Sequence, residues 1–165
     1  MSNILVVYAT KSGCTEGIAE QIANSLADTG ATVDLKRAKD KPDPSAYDAV
    51  VVGSGVRVGN WHKAAKEWVA ENAETLQQKP LAFFTCGMSV ADGKDEEARG
   101  YTDALIAESH VEPVDIGLFA GWNEPDKFSL PERLILKMVK APSGDFRDMA
   151  AADAWARSVA PQLEV

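Results

Sequence analysis

Short β-branched runs alternate along this chain with longer stretches of helical period, a pattern that predicts βαβ units and a parallel sheet. Residues 3–9 and 49–53 are continuously apolar, as central strands covered on both faces are, and residues 81–85 and 114–120 come close. Residues 32–36 differ, because Val33 and Leu35 alternate with polar neighbours; this run reads as a half-exposed edge strand. Ile18, Ile22 and Leu26 recur every fourth residue, and Gly30 follows as a helix stop. A second apolar face, Ala64, Ala65, Trp68, Val69 and Leu76, runs up to Lys79-Pro80. Residues 98–109 supply a third helix with Leu105 and Ile106, and Trp155, Val159 and Leu163 mark the last.

With the second strand at an edge, the economical arrangement is an α/β fold, a doubly wound five-stranded parallel sheet of order 2-1-3-4-5 with helices on both faces. In such a sheet the chain reverses direction between the first and third strands. The loops at their carboxyl ends splay apart there and leave a ligand crevice. Two stretches are irregular, 38–47 and 121–130, and the second is followed by an extra helical run containing Leu134, Ile135, Met138 and Val139.

Three loops lead into the expected crevice. The first, Thr10-Lys11-Ser12-Gly13-Cys14-Thr15, gathers three hydroxyls and a run of amide N–H groups at one helix N-terminus. Unpaired amides and the positive end of the helix dipole attract a phosphate, and Gly13 lets the backbone close around its oxygens. The alternative is a plain helix cap by Ser12, with Glu16 favourable in the first turn. Neither G-x-x-x-x-G-K-[ST] nor G-x-G-x-x-G occurs, so a mononucleotide phosphate fits better than a Walker or dinucleotide site.

The second loop, Ser54-Gly55-Val56-Arg57-Val58-Gly59-Asn60-Trp61-His62, is rich in glycine and ends in two aromatic rings. It can flank a flat heterocycle, with Trp61 stacked on a ring face; the alternative packs Trp61 on the following helix. His62 reads as a helix cap. The third, Thr85-Cys86-Gly87-Met88, offers small residues and backbone donors to the polar edge of such a ring, or makes Cys86 a small core residue.

With 165 residues, 45% of them hydrophobic, the chain fits one domain spanning 1–165. Its net charge of −8 includes no tract of Lys or Arg, which argues against nucleic acid as a partner. The start lacks a basic region and a long apolar run, so no integral membrane segment and a cytoplasmic location are expected. Cys14 and Cys86 form no C-x-x-C pair, and the two histidines suggest no metal.

The first loop is similar to the T-x-T-G-x-T pattern of the flavodoxin-like FMN-binding family, with Ser12 in place of the second Thr. The resemblance implies that Thr10, Ser12, Gly13 and Thr15 hold the FMN phosphate and that the other two loops bracket the isoalloxazine. Residues 53–62, Phe119-Ala120-Gly121, the extra helix through Lys140 and Gly144-Asp145 resemble the subfamily that includes the quinone-linked protoporphyrinogen IX dehydrogenases. That likeness covers essentially the whole chain. In those dehydrogenases, as the resemblance has it, the segment after the fifth strand is strongly basic and aromatic. Here residues 122–133 balance acids and bases, which argues against peripheral membrane contact and the porphyrinogen substrate.

The expected function is thus a flavoprotein that transfers electrons through FMN, with no catalytic side chain of its own required. It is either an FMN-dependent, protoporphyrinogen dehydrogenase-like oxidoreductase or a non-enzymatic electron carrier. The partner is a redox protein or a small-molecule or quinone acceptor, and the extra helix is compatible with a homodimer. A signalling receiver domain shares the sheet order but needs acidic residues where this chain has Ala9-Thr10 and Gly53-Ser54.

Overall fold

The computed structural model describes residues 2–10, 14–57, 60–87, 93–120, 122–123, 144–145 and 147–163, with backbone alone at 14, 57, 60, 122, 123, 144 and 145. Its strands and helices are β1 (Asn3–Ala9), α1 (Cys14–Asp28), β2 (Thr32–Arg37), β3 (Ala49–Arg57), β4 (Asn60–Trp61), α2 (Lys63–Glu71), α3 (Ala73–Leu76) and β5 (Leu81–Gly87). They continue with α4 (Asp95–Ser109), β6 (Asp115–Ala120), β7 (Trp122–Asn123), β8 (Gly144–Asp145) and α5 (Met149–Val159).

The main sheet runs β2-β1-β3-β5-β6, every one of these pairs parallel, with β4 folded back antiparallel on β3. Counting only the five long strands, this is the expected order 2-1-3-4-5. Period-two alternation sends successive side chains of each central strand to opposite faces, and both faces are covered. Ile4, Val6, Val51 and Phe84 pack with Ile18, Ile22 and Leu26 of α1 and with Ala152, Ala156 and Val159 of α5. Leu5, Val7, Val50, Val52 and Phe83 pack with Ala65, Trp68 and Val69 of α2 and Leu105 of α4. At β2 one face opens to solvent, as its alternating sequence requires.

Helix ends follow the sequence signals. Gly30 adopts φ +108 just after α1, a left-handed conformation that glycine takes without steric cost. Asp148 caps α5 by accepting the Ala151 N–H at 3.0 Å. The second expected helix is broken in two at Asn72, whose side-chain amide donates to the Trp68 carbonyl at 2.8 Å.

Two expectations need correcting. Strand β3 does not stop at Gly53 but runs on to Arg57 and pairs back with β4, Val56 opposite Trp61 and Arg57 opposite Asn60. The second crevice loop is therefore a β-hairpin. Strand β5 likewise extends through Cys86 and Gly87. The extra helical run 134–139 lies outside the described residues. The strands on either side of it, β7 and β8, pair antiparallel.

Candidate functional site

Strand register sets the three crevice loops level with one another. Ala9 lies opposite Ser54, and Ser54 opposite Thr85, so β1, β3 and β5 carry their loops off one row of the sheet. Beyond that row β1 ends at once, β3 continues into the hairpin and β5 adds two residues.

The N-terminal turn of α1 holds Thr15, which is completely buried. Its Oγ1 has no hydrogen-bond partner among the described residues. Gly55 approaches it closely: a Cβ at Gly55 would lie 3.1 Å from Thr15 Oγ1 and 3.8 Å from His62 Cδ2 and Nε2. A side chain at that point would press on the hydroxyl, so glycine keeps open the space between the first two loops. Lys11, Ser12 and Gly13 lie outside the described residues, as do Val58, Gly59 and Met88. Cys14, Arg57 and Asn60 are placed by their backbones alone.

Beside this turn lies a cleft of about 310 Å³ lined by Tyr8, Thr10, Glu16, Arg37, Lys39 and His62, at the lower end of the usual range for small-molecule pockets. Its polar wall is a trio. Tyr8 Oη donates to Glu16 Oε1 at 2.9 Å, Arg37 Nε donates to Tyr8 Oη at 3.3 Å, and Arg37 Nη2 sits 3.8 Å from Glu16 Oε1. Burial raises the Tyr8 hydroxyl above the ordinary phenol range; the Arg37 contact opposes this and the bond to Glu16 adds to it. The Tyr8 bond, ahead of the nearby charges, strengthens the hold of Arg37 on its proton. Sequence reasoning saw Glu16 only as a first-turn acid. The pairing with Arg37 was hidden because it needs the β1–β2 register, which sets Tyr8 opposite Arg37.

Several expected ligand side chains are instead spent inside the fold. Trp61 is only 3% exposed, meets Phe83 edge-on at 5.4 Å between ring centroids, and donates its indole N–H to Thr85 Oγ1 at 2.9 Å. Its ring belongs to the core cluster, as in the packed alternative the sequence allowed. Thr85 is fully buried, and its hydroxyl bonds Trp61 and Thr102 rather than reaching the crevice. Ser54 Oγ donates to the Gly55 carbonyl at 2.7 Å and accepts the His62 N–H at 2.9 Å, which clamps the hairpin base. Cys86 is a buried core residue. His62 opens α2 through its carbonyl, which accepts the Lys66 N–H at 3.0 Å, and its side chain faces the cleft.

Gly53, at the start of this stretch, serves packing: a Cβ there would fall 1.9 Å from Phe84 Cζ. Of the expected site residues, Thr10 and His62 line the cleft, Thr15 is buried beside Gly55, and Gly55, Val56 and Gly87 are partly exposed. No group of three or more metal-ligating side chains occurs among the described residues. No helix among them is long and apolar enough to cross a membrane.

Comparison with known proteins agrees with this geometry. A family model described as "Flavodoxin domain" matches residues 5–150. The chain is 25% identical over 148 residues to "Protoporphyrinogen IX dehydrogenase (quinone)" of Escherichia coli (strain K12), covering 87% of this chain and 82% of that protein. To "NAD(P)H dehydrogenase (quinone) 3" of Rhizobium meliloti (strain 1021) it is 24% identical over 140 residues, covering 72% of this chain and 65% of that protein. Among solved structures, oxidised Flavodoxin 2 from Bacillus cereus superposes with a TM-score of 0.66 at 24% identity, over 98% of this chain and 99% of that one. A flavodoxin from the domain Archaea gives 0.65 at 18% identity, over 99% of both chains. Sheet order, crevice and a family match over most of its length lead to one conclusion: the chain belongs to the flavodoxin domain family.

Proposed function

We propose that this protein binds FMN at the carboxyl ends of β1, β3 and β5 and passes electrons through it. The observation that carries the reading is the Thr15 hydroxyl in the first turn of α1, buried and without a partner among the described residues. An unsatisfied buried hydroxyl is costly, and a phosphate oxygen at the helix N-terminus would accept its proton. Thr15 closes the segment Thr10-Lys11-Ser12-Gly13-Cys14-Thr15, so hydroxyls and amides of one loop would hold the phosphate. The residues present fit the group.

The ring would lie between the hairpin Val56–Trp61 and the loop that follows Gly87. With the side chains of Ser54, Trp61, Thr85 and Cys86 engaged in the fold, this part of the site offers mainly backbone N–H and C=O groups. Gly55 and Gly87 leave room for a flat molecule to come close. FMN, when bound, supplies the electron chemistry. The chain binds it, orients it and limits the approach of water. Acidic residues outnumber basic ones by 25 to 17, a surface that disfavours additional negative charge on the ring.

The names of the curated relatives support a redox function with a quinone or a redox protein as electron acceptor, and the choice between a quinone-linked oxidoreductase and a carrier rests on assay. A reconstituted protein assayed with porphyrinogen or NAD(P)H as donor and a quinone as acceptor tests this. Turnover with multiple equivalents of quinone supports the enzyme, whereas reduction only through a partner protein makes it a carrier. The FMN reading itself is tested by titrating flavin-free protein with FMN and following flavin fluorescence; failure of FMN to bind refutes it.

A further inference from the structure

The core between β4, β5 and α4 contains a chain of hydrogen bonds where an apolar contact would have sufficed. Trp61 Nε1 lies 2.9 Å from Thr85 Oγ1, Thr85 Oγ1 lies 2.5 Å from Thr102 Oγ1, and Thr102 Oγ1 lies 3.4 Å from the Ala98 carbonyl oxygen. Thr85 and Thr102 are fully buried and Trp61 nearly so. The polarity of the chain can be worked out. An indole N–H only donates, so Thr85 accepts from Trp61. If Thr102 then gave its proton to Thr85, the Thr85 proton would be left without an acceptor. The order Trp61 to Thr85 to Thr102 to the Ala98 carbonyl gives every donor an acceptor, and each hydroxyl both accepts and donates.

This relay adds directional bonds between the hairpin arm and α4, which also share an apolar cluster through Trp61 and Leu105. Trp61 is the second residue of β4 and lies opposite Val56, so it fixes the returning arm of the hairpin. Thr102 sits in the middle of α4. In the proposed function the hairpin is one wall of the flavin ring. Resting on that reading, we propose that Thr102, which lies outside all three crevice loops, is a positioning residue: through Thr85 and Trp61 it holds the hairpin wall in place against β5 and so sets the reduction potentials of the bound flavin.

The edge-on contact of Trp61 with Phe83 fixes the ring's tilt but not its position along the strand, since apolar contact is not directional. The hydrogen bond supplies that missing constraint. Thr102→Val keeps the volume and branching of the side chain and removes both its donor and its acceptor. Thr85 then loses the acceptor for its proton, and the hairpin loses its hydrogen-bonded tie to α4, keeping only the apolar one. Thr102→Ser keeps the hydroxyl.

Three measurements test the inference. In flavin-free protein, the Trp61 indole N–H, assigned by its disappearance in Trp61→Phe, should exchange with deuterium at least tenfold faster in Thr102→Val than in the wild type or in Thr102→Ser. In FMN-loaded protein, the spacing between the two one-electron potentials should change in Thr102→Val and return in Thr102→Ser. FMN should also dissociate several-fold faster from the valine variant. A folded Thr102→Val protein with unchanged potentials overturns the proposal. So does a wild-type Trp61 indole that exchanges as fast as an exposed one, a result that needs no variant to fold. Wild-type protein that takes up no FMN refutes the flavin reading and the role assigned to Thr102 together, while the exchange rates still report separately whether the relay exists.

Discussion

Replacing Thr15 by Val should move two properties in opposite directions. The Thr15 hydroxyl is buried and has no hydrogen-bond partner among the described residues, so without a phosphate it is left unsatisfied. Leaving such a group unsatisfied costs about 1–3 kcal/mol, and a methyl of nearly the same shape removes the penalty. Thr15→Val should therefore stabilise the flavin-free protein by about 1 kcal/mol. For a chain of this size that is a rise of roughly 2–4 °C in melting temperature. Against FMN the sign reverses. A hydrogen bond to a charged acceptor such as a phosphate contributes roughly 1.5–3 kcal/mol, which becomes about 10- to 150-fold weaker binding when the donor is lost. Riboflavin, which lacks the phosphate, serves as the internal control and should bind both proteins alike. Fluorescence titrations with FMN and riboflavin, alongside thermal melts of flavin-free protein, give all three numbers. A variant that is less stable than the wild type, or that loses FMN and riboflavin equally, would refute the role given to this hydroxyl.

Gly53→Ala should be destabilising by at least roughly 1–3 kcal/mol, because its new methyl would overlap the Phe84 ring; the added Phe84→Leu change should recover part of the loss. Urea denaturation of the two single variants and the double variant checks this, and strictly additive effects would contradict it. Asp153 accepts a 2.6 Å hydrogen bond from Ser25, which, ahead of its bond to Arg157, holds its carboxyl below the usual carboxylate range. A lowered folded-state value stabilises the protein above the unfolded pKa of about 3.9 and is lost as pH falls through the folded value. Asp153→Asn should thus be less stable than the wild type at neutral pH, with the gap closing as pH falls below the ordinary carboxylate range; equal gaps at both ends would contradict the assignment. Tyr8→Phe removes the hydroxyl shared by Glu16 and Arg37 at the cleft, and should leave the melt nearly unchanged while altering the salt dependence of FMN binding, read by titration at two ionic strengths.

The fold was legible in the sequence because its strongest signals are local. The β-branched runs of β1 and β3, the every-fourth-residue spacing of Ile18, Ile22 and Leu26, and Gly30 after them each report on a few adjacent residues. The edge position of β2 was legible too, since one face of Val33 and Leu35 has to be balanced by polar neighbours. What escaped depended on contacts distant in sequence. Strand β3 looked finished at Gly53 because its apolar run ends there. It continues because Val56 and Arg57 find partners in β4, and hydrogen bonding, unlike hydrophobicity, leaves no compositional trace. Trp61 and Thr85 looked like ligand contacts because of where they fall in the loops. Their engagement with each other and with Thr102, 17 residues beyond Thr85, required the packed structure. The proposed phosphate loop is the reverse case. Thr15 was legible both from the loop's hydroxyls and from the family motif, and its buried hydroxyl, without a partner among the described residues, is the observation on which that proposal rests.

The most direct test of the central claim is calorimetric titration of the flavin-free protein with FMN, after the chromophore of the purified protein has been recorded by absorption and identified by mass. The account predicts one FMN per chain, a flavin absorption spectrum, and reversible reduction and reoxidation of the bound group. A protein that is colourless when purified and that takes up no FMN in the calorimeter would contradict it.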